Sequence, residues 1–336
     1  MSKTADLITI VTPAFNEEQN LPKLHVRLKN ISSEFGRDFE WIIVDDHSRD
    51  RTFQVASAIA AADPRVRVFR LARNSGSHNA VFCGLHQARG ACTVLVAADL
   101  QDPPEVIPGM LAVWRAKAQV VWGVRATAPQ TSLAGRLAAR FYYYAMRHWA
   151  GLDSIAPTGA DMVLLDRAVI DALLEFGERN LSIFALIAWL GFRQESISYE
   201  KQDRLHGTSG WTFSKKLKLA IDSITSFSFL PVRFFSALGI LFAVLGLVYA
   251  AFTIGRSLMY SNPVEGWSSL MVAVLVIGGL QLLMLGVLGE YLWRTLDEVR
   301  ARPRYLLEAS VNDEAQPART EAAWKGRSES PHISTH

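Results

Sequence analysis

The chain has 336 residues, half of them hydrophobic, and a formal net charge of +3. That length exceeds what one ordinary soluble domain needs, and so small a net charge speaks against a nucleic-acid partner. Only two cysteines occur, Cys83 and Cys92; they could pair, but in apolar stretches they read as free buried thiols of a reducing compartment rather than a secreted disulfide scaffold.

From the N-terminus, the opening residues lack a signal-peptide pattern, because their apolar run is short and leads directly into a strand. Strand-like runs follow at residues 7–12, 39–44, 66–70, 92–97 and 120–124, with helical patterns between them at 17–33, 51–62, 77–89 and 108–117. Such alternation predicts an α/β domain, a mostly parallel sheet with helices on both faces. The first strand ends in TPAFNEE (12–18), the second in VDDHSRDRT (44–52) and the fourth in AADLQDPPE (97–105). Acidic residues therefore stand at three strand ends along one sheet edge, the edge where open α/β sheets bind ligands. Asp99 can reach a hard cation there, and a cation can hold a diphosphate. The plainer reading of 97–105 is a polar turn ending in an Asp-Pro stop.

No glycine-rich turn follows the first strand, which disfavours a dinucleotide-binding dehydrogenase. Asp45 and Asp46 have a second reading as caps of the helix starting near Arg51, and Asp50 reads as a cap rather than a ligand. His47 and His78 have no metal-type spacing around them and read as surface or structural residues. Tyr142 to Tyr144 sit in a helical pattern over 133–149 and read as packing; Trp211 divides evenly between packing and sugar contact.

Two charge-free runs close the chain, at residues 234–254 and 267–289, the second interrupted only by the polar Gln281. Each is long enough to span a bilayer as a helix, and neither shows a polar face, which predicts a transmembrane hairpin. Lys215, Lys216, Lys218 and Arg233 precede it, and Arg294, Arg300, Arg302 and Arg304 follow it, while the connector holds only Arg256 against Glu265. Positive charge on both outer flanks places the N-terminal domain and the C-terminus in the cytoplasm. Residues 214–230 fit either a helix lying on the membrane surface or an ordinary amphipathic docking helix. Glu290 lies one turn before Arg294 and reads at least as well as its partner as it does as a functional intramembrane acid. From Leu307 onward the sequence is polar and without periodicity, which predicts a disordered tail.

Taken with the run Arg73-Asn74-Ser75-Gly76, with Gly159-Ala160-Asp161, with residues 204–211 (RLHGTSGW) and with Gly289-Glu290-Tyr291 and Arg302-Pro303-Arg304-Tyr305, these motifs resemble the GT-A fold family 2 glycosyltransferases. The subgroup is that of the polyprenyl-phosphate glycosyltransferases, such as bactoprenol glucosyltransferases and dolichol-phosphate mannose synthases. The resemblance covers residues 6–306 and implies four regions: a cytoplasmic GT-A catalytic domain over 1–212, a juxtamembrane helix over 213–231, the hairpin over 232–293, and a basic segment and tail over 294–336.

The resemblance also implies roles. Pro13, Phe15, Glu17 and Asp46 would line the nucleotide-sugar pocket; Asp99 and Gln101 would hold Mg²⁺ or Mn²⁺ on the diphosphate; Arg125, Arg204 and Ser209 would contact diphosphate or acceptor. Asp161 corresponds to the acid often proposed as catalytic, which makes Asp161, Asp99 and Arg125 the catalytic candidates. The implied reaction is inverting transfer of one sugar, UDP-glucose being the first choice of donor, to a polyprenyl phosphate such as undecaprenyl phosphate for a cell-envelope glycan. The enzyme would be an integral protein of a bacterial inner membrane and, by its relatives, a homo-oligomer. Two departures stand out: Ala97 occupies a position where the family commonly has a metal-binding Asp, and Gly210 one often held by Lys. Two other functions stay open. A processive polysaccharide synthase would show a Gln-x-x-Arg-Trp motif and more spans; a catalytically inactive scaffold subunit would find its best support in Ala97.

Overall fold

In the computed structural model the described residues are 7–35, 38–126, 160–176, 183–202, part of 238–252, 266–300 and 302–313. An eight-stranded sheet forms the framework. Its strands are β1 (Ile8–Ala14), β2 (Phe39–Asp45), β3 (Val66–Leu71), β4 (Cys92–Leu95), β5 (Val120–Arg125), β6 (Ala160–Asp166), β7 (Gln194–Tyr199) and β8 (Leu307–Val311), in the spatial order β7-β5-β6-β4-β1-β2-β3-β8. The pairs β1–β2, β1–β4, β2–β3 and β5–β7 are parallel, whereas β6 runs antiparallel to β4 and β5, and β8 antiparallel to β3. The sheet is mostly parallel, as the alternation predicts.

The central strands are near-continuous apolar runs because both of their faces are covered. Side chains alternate: Ile8, Ile10, Trp41 and Ile43 enter one core, and Val11, Ile42 and Val44 enter the other. The first core packs under α1 (Leu21–Ile31), α2 (Thr52–Ala62) and α4 (Ile107–Arg115), and the second under α3 (Ser77–Gln87), α5 (Arg167–Glu175) and α6 (Ile183–Trp189). Close approach is enforced at Gly84, where a Cβ would fall 2.3 Å from the Val11 side chain, so α3 lies directly on β1. Both cysteines are buried and free, and burial pushes the Cys83 thiol up to about 12.

Three expectations need correction. The helix expected over 17–33 is confined to Leu21–Ile31, because the amides of Glu17 and Glu18 bond to the neighbouring turn instead. Strand β4 stops at Leu95, two residues early, as the chain turns toward Asp99. Leu307 does not begin a disordered tail: Leu307–Val311 is a strand that closes the sheet edge beside β3.

A long helix, α7, runs over Trp267–Val299 for 33 residues, about 50 Å at the usual rise per residue. Many of its described large apolar side chains, among them Leu270, Val274, Leu282, Leu285 and Leu292, are exposed. Counted over the described residues, no helix is long and apolar enough to cross a membrane. The helices expected over 133–149 and 213–231 and most of the first expected span lie outside the described residues.

Candidate active site

The carboxyl edge of the sheet is built from three turns, after β1, β2 and β4. Each contains a non-glycine residue in the left-handed region: Asn16, His47 and Leu100, all with φ 59°. Such backbone is uncommon for L-residues and persists only where the surroundings hold it. The first two turns hold each other. Asn16 N–H donates to Ser48 Oγ at 3.0 Å, Arg49 N–H to Asn16 Oδ1 at 2.9 Å, and Glu17 N–H to Thr52 Oγ1 at 2.8 Å. Asp45, fully buried, accepts the Ser48 amide at 3.0 Å. Pro13 thus stands one residue before the end of a fixed strand, Phe15 projects 41% exposed, and the Glu17 carboxylate accepts from Asn20 Nδ2 at 2.6 Å.

The capping alternatives resolve differently for the three aspartates. Asp50 is the residue serving the start of α2, accepting from the Thr52 amide at 3.0 Å and hydroxyl at 2.5 Å. Asp46 instead reaches across to the turn before α3, where Oδ1 accepts the Ser75 amide at 2.7 Å and Oδ2 the Gly76 amide at 2.9 Å. Burial pushes its carboxyl above the ordinary range, and those two amides pull it partly back. Gly76 has φ 89°, a conformation that suits glycine at this turn. Of the two histidines, His78 is packed against Phe184 and kept toward its neutral form by burial, so its structural reading stands. His47 is partly exposed in the turn after β2, its Nδ1 3.0 Å from the Leu71 carbonyl oxygen, which also fits that reading.

The third turn carries the candidate metal residues. Asp99 Oδ1 accepts the Gln101 amide at 3.2 Å, and Leu100 between them is buried. Asp102, only 1% exposed, accepts the Tyr199 hydroxyl at 2.5 Å and has Lys201 Nζ 3.6 Å away. Gln202 N–H donates to the Gln101 carbonyl at 2.9 Å, and Arg27 makes a paired ion contact with Glu105. The turn is thereby pinned to the end of β7. Arg125, half-buried at the end of β5, sits opposite Tyr199 in the parallel register, and the next amide, Ala126, donates to the Tyr199 carbonyl at 2.8 Å.

Asp161 belongs to β6 at a register shift, between Ala160, which pairs with Val124, and Met162, which pairs with Gly123. Bulges of this kind recur beside active sites, where they re-aim a side chain. The Asp161 side chain, like Arg204 and Ser209, lies outside the described residues. The structure therefore brings Pro13, Phe15, Glu17, Asp46, Asp99, Gln101 and Arg125 to one sheet edge and puts the Asp161 backbone on that edge. Tyr199, Lys201 and Glu308 also reach this edge, and sequence reading missed them. Tyr199 ends a mostly polar edge strand, and Glu308 lies in a short alternating edge strand set in polar sequence.

Among the described residues no group of three His, Cys, Asp or Glu side chains could hold a metal ion. One carboxylate and one amide, Asp99 and Gln101, do not make a protein cage. They do fit a hard cation that takes its remaining ligands from water and a diphosphate.

An open, mostly parallel sheet with interlocked acidic turns along its carboxyl edge defines an α/β domain that presents polar side chains, rather than a glycine-rich loop, where such sheets take their ligands. Comparison with known proteins gives its family. Residues 9–218 match the model described as "Glycosyl transferase family 2", and residues 230–294 match "GtrB C-terminal hairpin". The chain belongs to glycosyltransferase family 2.

A "Bactoprenol glucosyl transferase" of Shigella phage SfII is 33% identical over 305 residues, covering 90% of this chain and 98% of that protein. An uncharacterised glycosyltransferase of Bacillus subtilis is 34% identical over 306 residues, covering 91% and 94%. Among solved structures, glucosyl-3-phosphoglycerate synthase from Mycobacterium tuberculosis in complex with Mn²⁺, UDP and phosphoglyceric acid has a TM-score of 0.46 at 16% identity, covering 65% of this chain and 76% of that one.

Proposed function

We propose that this protein transfers one sugar from a nucleotide-sugar, UDP-glucose first, to a polyprenyl phosphate at the cytoplasmic face of a bacterial membrane. The observation that carries the proposal is the presence in one chain of a family 2 domain and the hairpin match, together with relatives named bactoprenol glucosyl transferase that align with 90% of it. The exposed apolar side chains of α7 and the charge-free runs at 234–254 and 267–289 support two spans, with the four regions divided as the sequence suggests. A tail embedded in the bilayer would keep the acceptor phosphate near the surface, where basic residues such as Lys215, Lys216 and Lys218 attract anionic head groups.

In this reading the interlocked turns after β1 and β2 form the nucleotide pocket, with Pro13 and Phe15 as its wall and Glu17 and Asp46 as its polar groups. Asp99 and Gln101 would hold Mg²⁺ or Mn²⁺, which supplies charge neutralisation on the departing diphosphate. Arg125, with Arg204, adds guanidinium donors whose fork suits phosphate oxygens. Such electrostatic stabilisation is commonly the largest contribution to a displacement of this kind. A phosphate oxygen of the acceptor attacks the anomeric carbon; the bond to the nucleoside diphosphate breaks on the opposite side, and configuration inverts. The acceptor phosphate has its second pKa near ~6 and is mostly a dianion at neutral pH, so no strong base is required. Asp161 accordingly positions the acceptor or the metal rather than removing a proton.

The test is incubation of the purified protein with radiolabelled nucleotide-sugars, undecaprenyl phosphate and Mg²⁺. A lipid carrying one hexose supports the proposal. Polymer would assign the protein to the processive synthases, and absence of transfer from every donor would make it a scaffold subunit.

A further inference from the structure

The segment Arg304–Asp313 lies beyond both family matches, which end at residues 218 and 294, yet it is bound into the catalytic domain along the whole height of the sheet. Beginning a few residues after α7, it first crosses α3. The Arg304 guanidinium sits 3.8 Å over the Phe82 ring and donates to the Phe176 carbonyl at 2.8 Å, while Tyr305 hydrogen-bonds with buried Cys83. The Ala72 amide donates to the Leu306 carbonyl at 2.8 Å, and β8 then runs down β3 with Leu307 opposite Leu71 and Val311 opposite Val68. At the far edge Asn312 donates to the carbonyls of Ala60 and Val66, and Asp313 pairs with the buried Arg67 at 3.0 Å.

Because β8 is antiparallel to β3, its first residues arrive at the carboxyl edge, beside the pocket. There the Glu308 carboxylate lies 3.2 Å from His47 Nδ1 and 3.1 Å from Arg70 Nε. Arg70 Nε is in turn 3.5 Å from the buried Asp45. His47 holds a left-handed backbone, uncommon for a residue with a Cβ, and its Nδ1 is shared between the Leu71 carbonyl and Glu308. The residue before it is Asp46, whose two oxygens carry the Ser75 and Gly76 amides.

We propose that Glu308 is a positioning residue for the nucleotide pocket: through His47 and Arg70 it fixes the turn that aims Asp46, so that the chain leaving the membrane helix sets the order of the donor site. The inference rests on the functional reading above. A charge on an edge strand also discourages edge-to-edge pairing; what ties Glu308 to the pocket is its double contact with His47 and Arg70. Glu308 is 46% side-chain exposed, so its pairs are of the modest, surface kind.

The experiment uses the full chain in lipid nanodiscs with UDP-glucose and undecaprenyl phosphate. Glu308→Gln is expected to raise the KM for UDP-glucose about three- to fivefold, the upper end of what an exposed ion pair contributes, with kcat and the KM for the lipid unchanged. Charge reversal in Glu308→Lys raises it further, and Glu308→Asp restores it toward the unaltered protein. Hydrogen exchange at the Ser75 and Gly76 amides quickens in step. Asp313→Asn, at the other end of the same segment, lowers the melting temperature without moving the donor KM. If the Glu308 variants melt lower while donor KM and Ser75 and Gly76 exchange stay as they were, Glu308 is edge cover and the inference is wrong. If the unaltered chain transfers no sugar, the functional reading fails, and amide exchange alone then decides whether Glu308 orders the Asp46 turn.

Discussion

Replacing Tyr199 with Phe removes one oxygen and nothing else from the anchor of the Asp99–Asp102 turn. That oxygen donates to Asp102 at 2.5 Å, and Asp102 is only 1% exposed, so water cannot take its place. A hydrogen bond to a charged group contributes about 1.5–3 kcal/mol net, and leaving a buried acceptor unpaired costs a similar amount. Lys201 remains 3.6 Å away and offsets part of the loss. The expected destabilisation is therefore about 2 kcal/mol, or a fall of about 4–8 °C in melting temperature for a domain of this size. Loosening the turn also releases Asp99 and Gln101, so the apparent metal affinity should fall about tenfold while binding of free UDP without metal holds. Thermal unfolding followed by tryptophan fluorescence and a Mn²⁺ titration of transfer measure the two effects. A melting temperature within 1 °C of the unaltered protein, with metal affinity intact, would refute this account of the turn.

Three further outcomes follow from particular residues. Asp63 is bound by Arg65 through Nε at 2.9 Å and Nη2 at 2.7 Å, which holds its carboxyl well below the usual range. Its contribution to stability is full above the unfolded carboxyl pKa near ~4 and fades as pH drops toward the depressed folded value; Asp63→Asn should flatten the acid limb of a stability–pH curve. Ala97→Asp should restore a second metal carboxylate and lower the Mg²⁺ concentration for half-maximal transfer several-fold; an unchanged titration would remove Asp99 and Gln101 from the metal site. Asp161→Asn should cost only a few fold in kcat, as suits a positioning residue, and complete loss with donor and acceptor binding intact would make it the base.

Much of this fold was legible because its central strands are buried on both faces. Residues 39–44 and 66–70 are mostly apolar, carrying only Glu40, Arg67 and Arg70 as charged residues, and the observed strands Phe39–Asp45 and Val66–Leu71 differ from them by one residue. The acidic turns were legible for a related reason, since each interrupts such a run abruptly. Edge strands carry no comparable signal. In β7, Gln194–Tyr199, only Tyr199 is buried, and the hydrogen bond from its hydroxyl to Asp102 depends on a fold contact 97 residues away. For β8 a signal did exist: Leu307, Ala309 and Val311 alternate with the exposed Glu308 and Ser310. Five residues of alternation amid polar sequence were outweighed by composition, although the register with β3 makes them part of the sheet. The role of Asp46 was equally beyond local reading, because its partners Ser75 and Gly76 lie across the sheet edge rather than on the helix that follows it.

The central claim is a single inverting displacement by a lipid phosphate at the edge bearing Asp99. NMR of the lipid product made from α-linked UDP-[¹³C]glucose tests it most directly. One β-linked glucose per polyprenyl phosphate, absent with Asp99→Asn, is the predicted result; an α-linked sugar, or a product unaffected by that substitution, would contradict it.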